Sequence, residues 1–546
     1  MTVAAEEPPR RALNLLTDPW LPVRRQRSGP CIIRPAQITE AISDDPVIAI
    51  DWPRPDFRTA TLELLIGLLA TACPPRDHNA WLEGWDTPPD PAALDAAFAP
   101  IAHAFVLDGD GPRFLQDLED LAADAEPIER LLIEAPGAST TRNNTDLLVR
   151  RGRVAAIGRA AAAIALFTFQ SWAPAGGAGN RTGLRGGGPL TTLVLPRGEA
   201  SLWHMLWANV PCGEPPAAAD LPRVFPWLAP TVTSEGAQVV TPENAHRLQC
   251  WWGMPRRIRL DFAAGDAPRP CDLTGVPDRV LVTSWRQRPR GANYAAWGRV
   301  HPLSPYYTLR AGGEWLPLHP QPGGIGYRHW LGLVLQSPDG LRLPAAAVAT
   351  WRQDRMVDAG GGTARLLAAG FDMDNMKARA FVESEMPLPA APDPAAQARL
   401  DDLAARLVRA ADQTAGLLRG AVRAALFSPG ASVKLDAELL SSVRERLWEQ
   451  TESAFFDALE RAAASDAVAP DPEPGRWMQL LRRTALALFD EVAPLSPEAG
   501  SAALRIGRAR RNLLFALTGY GRDGAALFEA LGLPAAEPKV KKRKAA

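Results

Sequence analysis

The rhythm of hydrophobic and polar positions changes near Pro392. Downstream, Leu400, Leu403, Leu407, Thr414, Leu417, Ala421 and Ala424 recur three, four or seven residues apart, the spacing of an apolar stripe on a helix. Asp393 before Pro394 supplies an N-cap followed by proline at the first helical position. Three further helices are expected at about 435–464, 476–492 and 499–517, separated by SPGAS, APDPEPG and APLSP. Amphipathic helices with such short breaks predict an antiparallel four-helix bundle.

Upstream, short apolar runs such as VLVTSW (280–285), GLVLQ (332–336) and LTTLVL (190–195) read as strands bounded by turn residues. The segment NLLTDPWLPVR (14–24) reads as a strand, a turn at Asp18-Pro19 and a second extended piece, and residues 57–72 have helical spacing through Leu62, Leu65, Ile66 and Leu69. The expected fold class is α+β: a large mixed domain over 1–392, a four-helix bundle over 393–535, and a basic disordered tail over 536–546 that ends in KVKKRK.

A chain of 546 residues exceeds the roughly 100–200 of an ordinary domain, in keeping with that division. With 60 basic against 61 acidic side chains the formal charge is -1, which excludes a uniformly basic coat protein but leaves room for a basic face. Five cysteines without close pairing argue against a disulfide framework or zinc knuckle. The N-terminus lacks an apolar signal core, and the longest uncharged apolar stretch, 160–169, is half the length of a membrane helix of roughly 20 residues. A soluble, cytoplasmic protein is expected.

Catalytic motifs are missing: there is no phosphate-binding G-x-x-x-x-G-K-[ST], no H-E-x-x-H and no G-x-S-x-G, and the histidines are scattered singly. Asp108 and Asp110 in LDGDGPRF lack the further oxygen ligands of a calcium loop, so a turn is expected there. Charge is more informative. Between Arg142 and Arg185 seven arginines face one acid, Asp146. This stretch contains PAGGAGNRTGLRGGG (174–188), whose glycines allow close backbone approach and, with Arg181 and Arg185, suit a phosphate backbone or groove edge. A plain flexible connection between helix and strand fits the same composition.

A second basic region, 247–299, carries ten arginines against four acids, interleaved with Trp251, Trp252, Trp285, Tyr294 and Trp297. Such a mixture can bind backbone and stack on bases, or consist of core aromatics beside a solvated face. In GFDMDNMKARAFVESEM (370–386), Asn375, Met376 and Lys377 could wedge into a base step, or simply start a helix.

NLLTDPWLPVR (14–24), GLRGGGPLTTLV (183–194), GMPRRIRL (253–260), W-x-x-x-HPLSPYY (297–307) and DMDNMKAR (372–379), followed by a helical bundle, together resemble the CasA family, the large subunits of the type I-E CRISPR surveillance complex Cascade. The resemblance implies a non-catalytic protein without cofactor, acting in antiviral defence. It would read the short PAM in double-stranded DNA mainly from the minor groove, promote duplex opening and R-loop formation, and recruit the effector helicase-nuclease. Implied partners are the backbone, small and 5'-handle-binding subunits, the guide RNA, PAM-containing DNA and the nuclease, with no membrane. The family's glycine loop falls on Ala175 to Gly179, giving Gly176, Gly177 and Gly179 with the adjoining Asn180 and Arg181 as DNA-binding candidates. Its minor-groove lysine falls near Arg286 or Arg288, its wedge on Asn375 and Met376 beside Lys377. Its loop toward guide RNA and neighbouring subunits falls on 143–153, with Asn143, Asn144, Arg150, Arg151 and Arg153.

Two departures matter. The paired cysteines of some members are missing, so no metal is carried over, and Met376 replaces a wedge glutamine, leaving a side chain that can unstack bases but not hydrogen-bond to them. From the residues alone, a phosphate-binding enzyme using the glycine loop and a scaffold binding only RNA remain alternatives.

Overall fold

The computed structural model describes residues 11–146, 150–177, 179–196, 201–374, 377–427, 437–464, 471–495 and 502–534. They form two compact units: one comprises the chain up to Gly324 with Pro338–Ala359 and Arg365–Glu385, the other Ile325–Ser337, Gly360–Ala364 and the chain from Met386 onward.

In the first unit the Leu21–Arg25 strand pairs antiparallel with both Gly29–Ile33 and Val47–Ile50. Asn14 contributes only an isolated bridge to Val106 where a strand was expected, because Asp18 turns the chain by accepting the Asn14 amide at 2.8 Å. The Pro55–Ala72 helix buries nearly every residue from Phe57 to Thr71 and packs on the equally buried Arg159–Trp172 helix. The apolar stretch at 160–169 is thus a core helix.

Two sheets position the candidate site. Arg257–Pro270 pairs antiparallel with Pro277–Arg288, with Leu260 opposite Trp285 and Arg257 opposite Arg288. Thr191–Leu195 pairs antiparallel with Ala364–Asp374, which is flanked on its other edge by Lys377–Leu388. Residues 370–374 and 377–386 therefore belong to two strands, which corrects the helix-start reading. Burial of successive residues from Leu366 to Phe371 explains the missing alternation. GLVLQ is likewise not a strand: Leu333 and Val334 are buried at the end of a single turn, Trp330–Leu333, and their apolarity reflects burial, not pleating.

The second unit is helical. Pro394–Leu426 is capped as its sequence indicates, Asp393 Oδ1 accepting the Ala396 amide at 2.8 Å. The buried stripe departs from expectation in its last turns, where Leu418, Val422 and Ala425 are buried in place of Leu417, Ala421 and Ala424. A strict seven-residue spacing lags a straight helix by about 20° per heptad, and the roughly 60° accumulated over three heptads exceeds half of the roughly 100° between successive positions, so the next residue faces the core. Helices Ala437–Ala464, Glu473–Val492 and Ala502–Ala516 follow, and Gly521–Ala530 adds a short fifth to the four expected. Tyr327 ties the distant 325–337 segment into this unit: it stacks on Phe455 at 4.6 Å, and its hydroxyl lies 2.6 Å from that of Thr451. The basic tail lies outside the described residues.

Among the described residues no helix is long and apolar enough to cross a membrane, and no three His, Cys, Asp or Glu side chains are grouped to hold a metal ion.

Candidate nucleic-acid interface

The glycine-rich stretch leaves the Arg159–Trp172 helix and enters the Thr191–Leu195 strand with its two halves anchored differently. In the second half Arg185 turns inward. It forms a buried ion pair with Glu63 of the Pro55–Ala72 helix, and its Nη1 donates to Thr191 Oγ1 at 2.9 Å and Ser304 Oγ at 3.3 Å. His301 Nε2 lies 3.7 Å from Glu63, and burial, followed by the Arg185 charge, pushes the imidazole pKa well down. Arg185 is therefore a structural cation, a correction to its reading as a phosphate ligand. A Cβ on Gly188 would sit 2.6 Å from the Phe371 carbonyl, so glycine is required there for close packing on the neighbouring strand.

The first half is open. Gly176 and Gly177 are exposed, while Gly177 and Gly179 have φ of +66° and +83°. The Asn180 amide donates to the Gly177 carbonyl at 2.8 Å and the Gly176 amide to the Asn180 carbonyl at 3.2 Å, closing a tight turn. Arg256 lies beneath it. Its Nε donates to the Arg181 carbonyl at 2.6 Å and its Nη2 to the Pro174 carbonyl, so one guanidinium bridges both ends of the turn.

Two further loops converge here. The Arg290 amide donates to the Gly179 carbonyl at 2.9 Å, and Arg181 Nε donates to Ser234 Oγ at 3.2 Å. Ser234 in turn donates its amide to the Arg290 carbonyl at 3.1 Å. Arg290 keeps 61% of its side chain exposed, 3.6 Å from Glu235.

Of the cations expected near this loop, Arg286 is engaged by Asp261 at 3.2 Å and by the Ala123 carbonyl at 2.8 Å, whereas Arg288 is exposed at the strand end. Two more arginines of the 247–299 region are paired with acids remote in sequence: Arg257 with Asp117 and Glu119, Arg259 with Asp120. A count along the chain cannot include acids that only folding brings near. The aromatic stacking reading also fails. Trp251, Trp252, Trp285 and Trp297 are buried, and the indoles of Trp252, Trp285 and Trp297 donate to Thr71 Oγ1, the Pro127 carbonyl and the Val240 carbonyl. The Tyr294 hydroxyl accepts the Met254 amide, so these rings belong to the core.

Lys377 is exposed at the start of its strand, and Arg379 pairs with Asp372 at 2.6 Å. Asn375 and Met376 lie outside the described residues. Because Thr191 is opposite Ala369 and Gly188 abuts Phe371, the end of the glycine-rich stretch and the strand ends flanking the expected wedge occupy the same end of one sheet. Trp172 packs on Phe371 and Phe381 at ring separations of 6.1 and 6.0 Å, fixing that end to the preceding helix.

In the 143–153 segment, Asn143, Asn144, Arg150, Arg151 and Arg153 are all exposed, although Arg151 is paired with Asp146. Glu129 anchors the segment by accepting the Gly152 amide at 2.8 Å. Residues 147–149 lie outside the described set. The sequence does not single out Arg256 or Arg290: both lie in the second basic region, and no local pattern sets them apart from their neighbours.

Solved structures share this fold. CasA from Thermus thermophilus matches with a TM-score of 0.66 at 18% identity, covering 92% of this chain and 99% of that one. Cse1 from Acidimicrobium ferrooxidans matches with 0.63 at 19% identity, covering 93% and 99%. A chain described as a CRISPR RNA-guided surveillance complex matches with 0.64 at 17% identity, covering 92% and 100%. The family described as CRISPR-associated protein Cse1 matches residues 14–488, and the chain belongs to that family.

Proposed function

We propose that this protein is the non-catalytic large subunit of a type I-E Cascade surveillance complex and works in the cytoplasm. In that complex it reads the PAM in duplex DNA, promotes opening and R-loop formation, and recruits the effector helicase-nuclease. Membership of the Cse1 family and the likeness to a surveillance-complex chain support the setting. The observation that carries the DNA role is the exposed turn at Gly176 and Gly177, with Arg290 beside it in a solvent-exposed ion pair with Glu235, and Arg288 exposed at the end of its strand. Its small residues let a groove edge approach the backbone, and the arginines add salt-dependent attraction to phosphate. Minor-groove readout distinguishes base pairs poorly, so a permissive PAM preference follows. The 143–153 segment, exposed and basic at Arg150 and Arg153, is the proposed contact to guide RNA or neighbouring subunits.

The test is binding of fluorescent duplexes with varied PAMs to the remaining guide-loaded complex, with this chain added or omitted, across a salt series. PAM-dependent binding only when the chain is present is the expected result. Identical binding with and without it would overturn the reading.

A further inference from the structure

We infer that Arg256 is the positioning residue of the glycine turn, a buried fork that holds both ends of residues 174–181 and sets the turn's shape before DNA arrives. Arg256 is 4% exposed, yet among the described residues its guanidinium meets neutral acceptors and not carboxylates. It donates to the carbonyls of Pro174 and Arg181 and to Gln287 Oε1 at 3.3 Å, and lies over the Phe169 ring at 5.3 Å. Its backbone is fixed in turn by Gln170, whose amide oxygen accepts the Arg256 amide at 3.1 Å and whose amide nitrogen donates to the Arg256 carbonyl at 3.0 Å. A rigid core helix thus aims the guanidinium at the turn.

Burial lowers the Arg256 pKa to about 10, which still leaves it charged at neutral pH. A buried cation satisfied by carbonyls is costly as a device for stability alone. Its geometry is better explained by what it holds: Nη1 would lie 3.1 Å from a Cβ on Gly176, directly under the exposed backbone. A planar fork can bridge two carbonyls in fixed directions, and an ammonium reproduces the charge but not that geometry. The role rests on the DNA-binding reading above, because that reading gives the turn something to be shaped for.

The experiment compares Arg256→Lys and Gln287→Met with the parent chain in the reconstituted guide-loaded complex, using Gly177→Asp as the benchmark. Two readouts are taken: amide hydrogen exchange over 174–181, and binding to closed PAM-bearing duplex against a target already bubbled open. For Arg256→Lys we expect faster exchange confined to 174–181, about tenfold weaker binding to closed duplex, and unchanged binding to the bubble. Its salt dependence should stay that of the parent, since the charge is kept. Gln287→Met, which removes one acceptor of the fork without touching Arg256, should give the same pattern at smaller size and covers the case in which the lysine variant does not assemble.

Parent-like exchange over 174–181 in both variants, or equal loss on closed and bubbled targets, would overturn the inference. If exchange rises as expected but even Gly177→Asp binds closed duplex like the parent, the DNA reading has failed while the positioning role stands.

Discussion

Arg185 and Glu63, 122 positions apart in the chain, form a buried ion pair at the base of the glycine-rich stretch. Thr191 Oγ1 donates to the second Glu63 oxygen at 3.0 Å, so both carboxylate oxygens are used. Replacing Glu63 by Gln keeps the shape but leaves a guanidinium buried without a counter-charge. The expected loss is about 3–5 kcal/mol of stability, read from urea unfolding. A Glu63→Met, Arg185→Met double variant should lose less than the sum of its single variants. Strict additivity would show that the pair does not act as a unit.

The same cluster makes stability sensitive to acid. Between its lowered folded pKa and its ordinary unfolded value, His301 binds fewer protons in the folded state. Its contribution is therefore complete above about pH 6.5 and is lost progressively as pH falls below it, by at most about 1.4 kcal/mol per pH unit. The groups facing it are Glu63, Arg185, Trp251 and the Tyr306 hydroxyl, which accepts the His301 amide at 3.1 Å. Urea midpoints at neutral and mildly acidic pH should diverge less in His301→Gln than in the parent. Some dependence will remain, because burial lowers His204, His246 and His319 as well. An unchanged divergence would exclude His301 as the main source.

Gly177 has open space around its Cβ position and a left-handed backbone, so a side chain there projects outward at a local cost of about 1–2 kcal/mol. Gly177→Asp also sets a negative charge where phosphate is proposed to approach. It should weaken binding to closed PAM-bearing duplex far more than to bubbled targets. Equal losses on both would count against a role in reading or opening the duplex.

Arg290 and Arg286 should behave differently. Arg290 is continuous with Gly179 through a backbone hydrogen bond and its guanidinium meets the exposed Glu235 at 3.6 Å, a pair that water and salt screen, while Arg286 is held by Asp261 and by the Ala123 carbonyl. Removing the Arg290 side chain is expected to weaken duplex binding and lower the salt slope by about 1, as for one lost phosphate contact. Arg286→Ala should leave the slope nearly unchanged. The reverse ranking would move the DNA path away from the glycine turn.

Much of the fold can be read along the chain, because local periodicity and turn chemistry act over a few residues. Asp393 caps its helix as its position before Pro394 indicates, and VLVTSW and LTTLVL lie in strands. Where burial is continuous, local pattern is ambiguous. Leu366 to Phe371 are buried in succession and show no alternation, and GLVLQ is apolar for packing, not for pairing.

The α+β class, the helical C-terminal region, the glycine-rich connection between helix and strand, and the family likeness are all legible in residues adjacent in the chain. Which arginines face solvent near the turn depends on the packing of distant elements. That packing buries Arg185 against Glu63, engages Arg286 with Asp261, puts Arg256 beneath the turn, and leaves Arg290 beside Gly179. A guanidinium's partners are set by distance in space, and acids such as Glu63 and Asp117 reach their arginines only after the helices and sheets have packed.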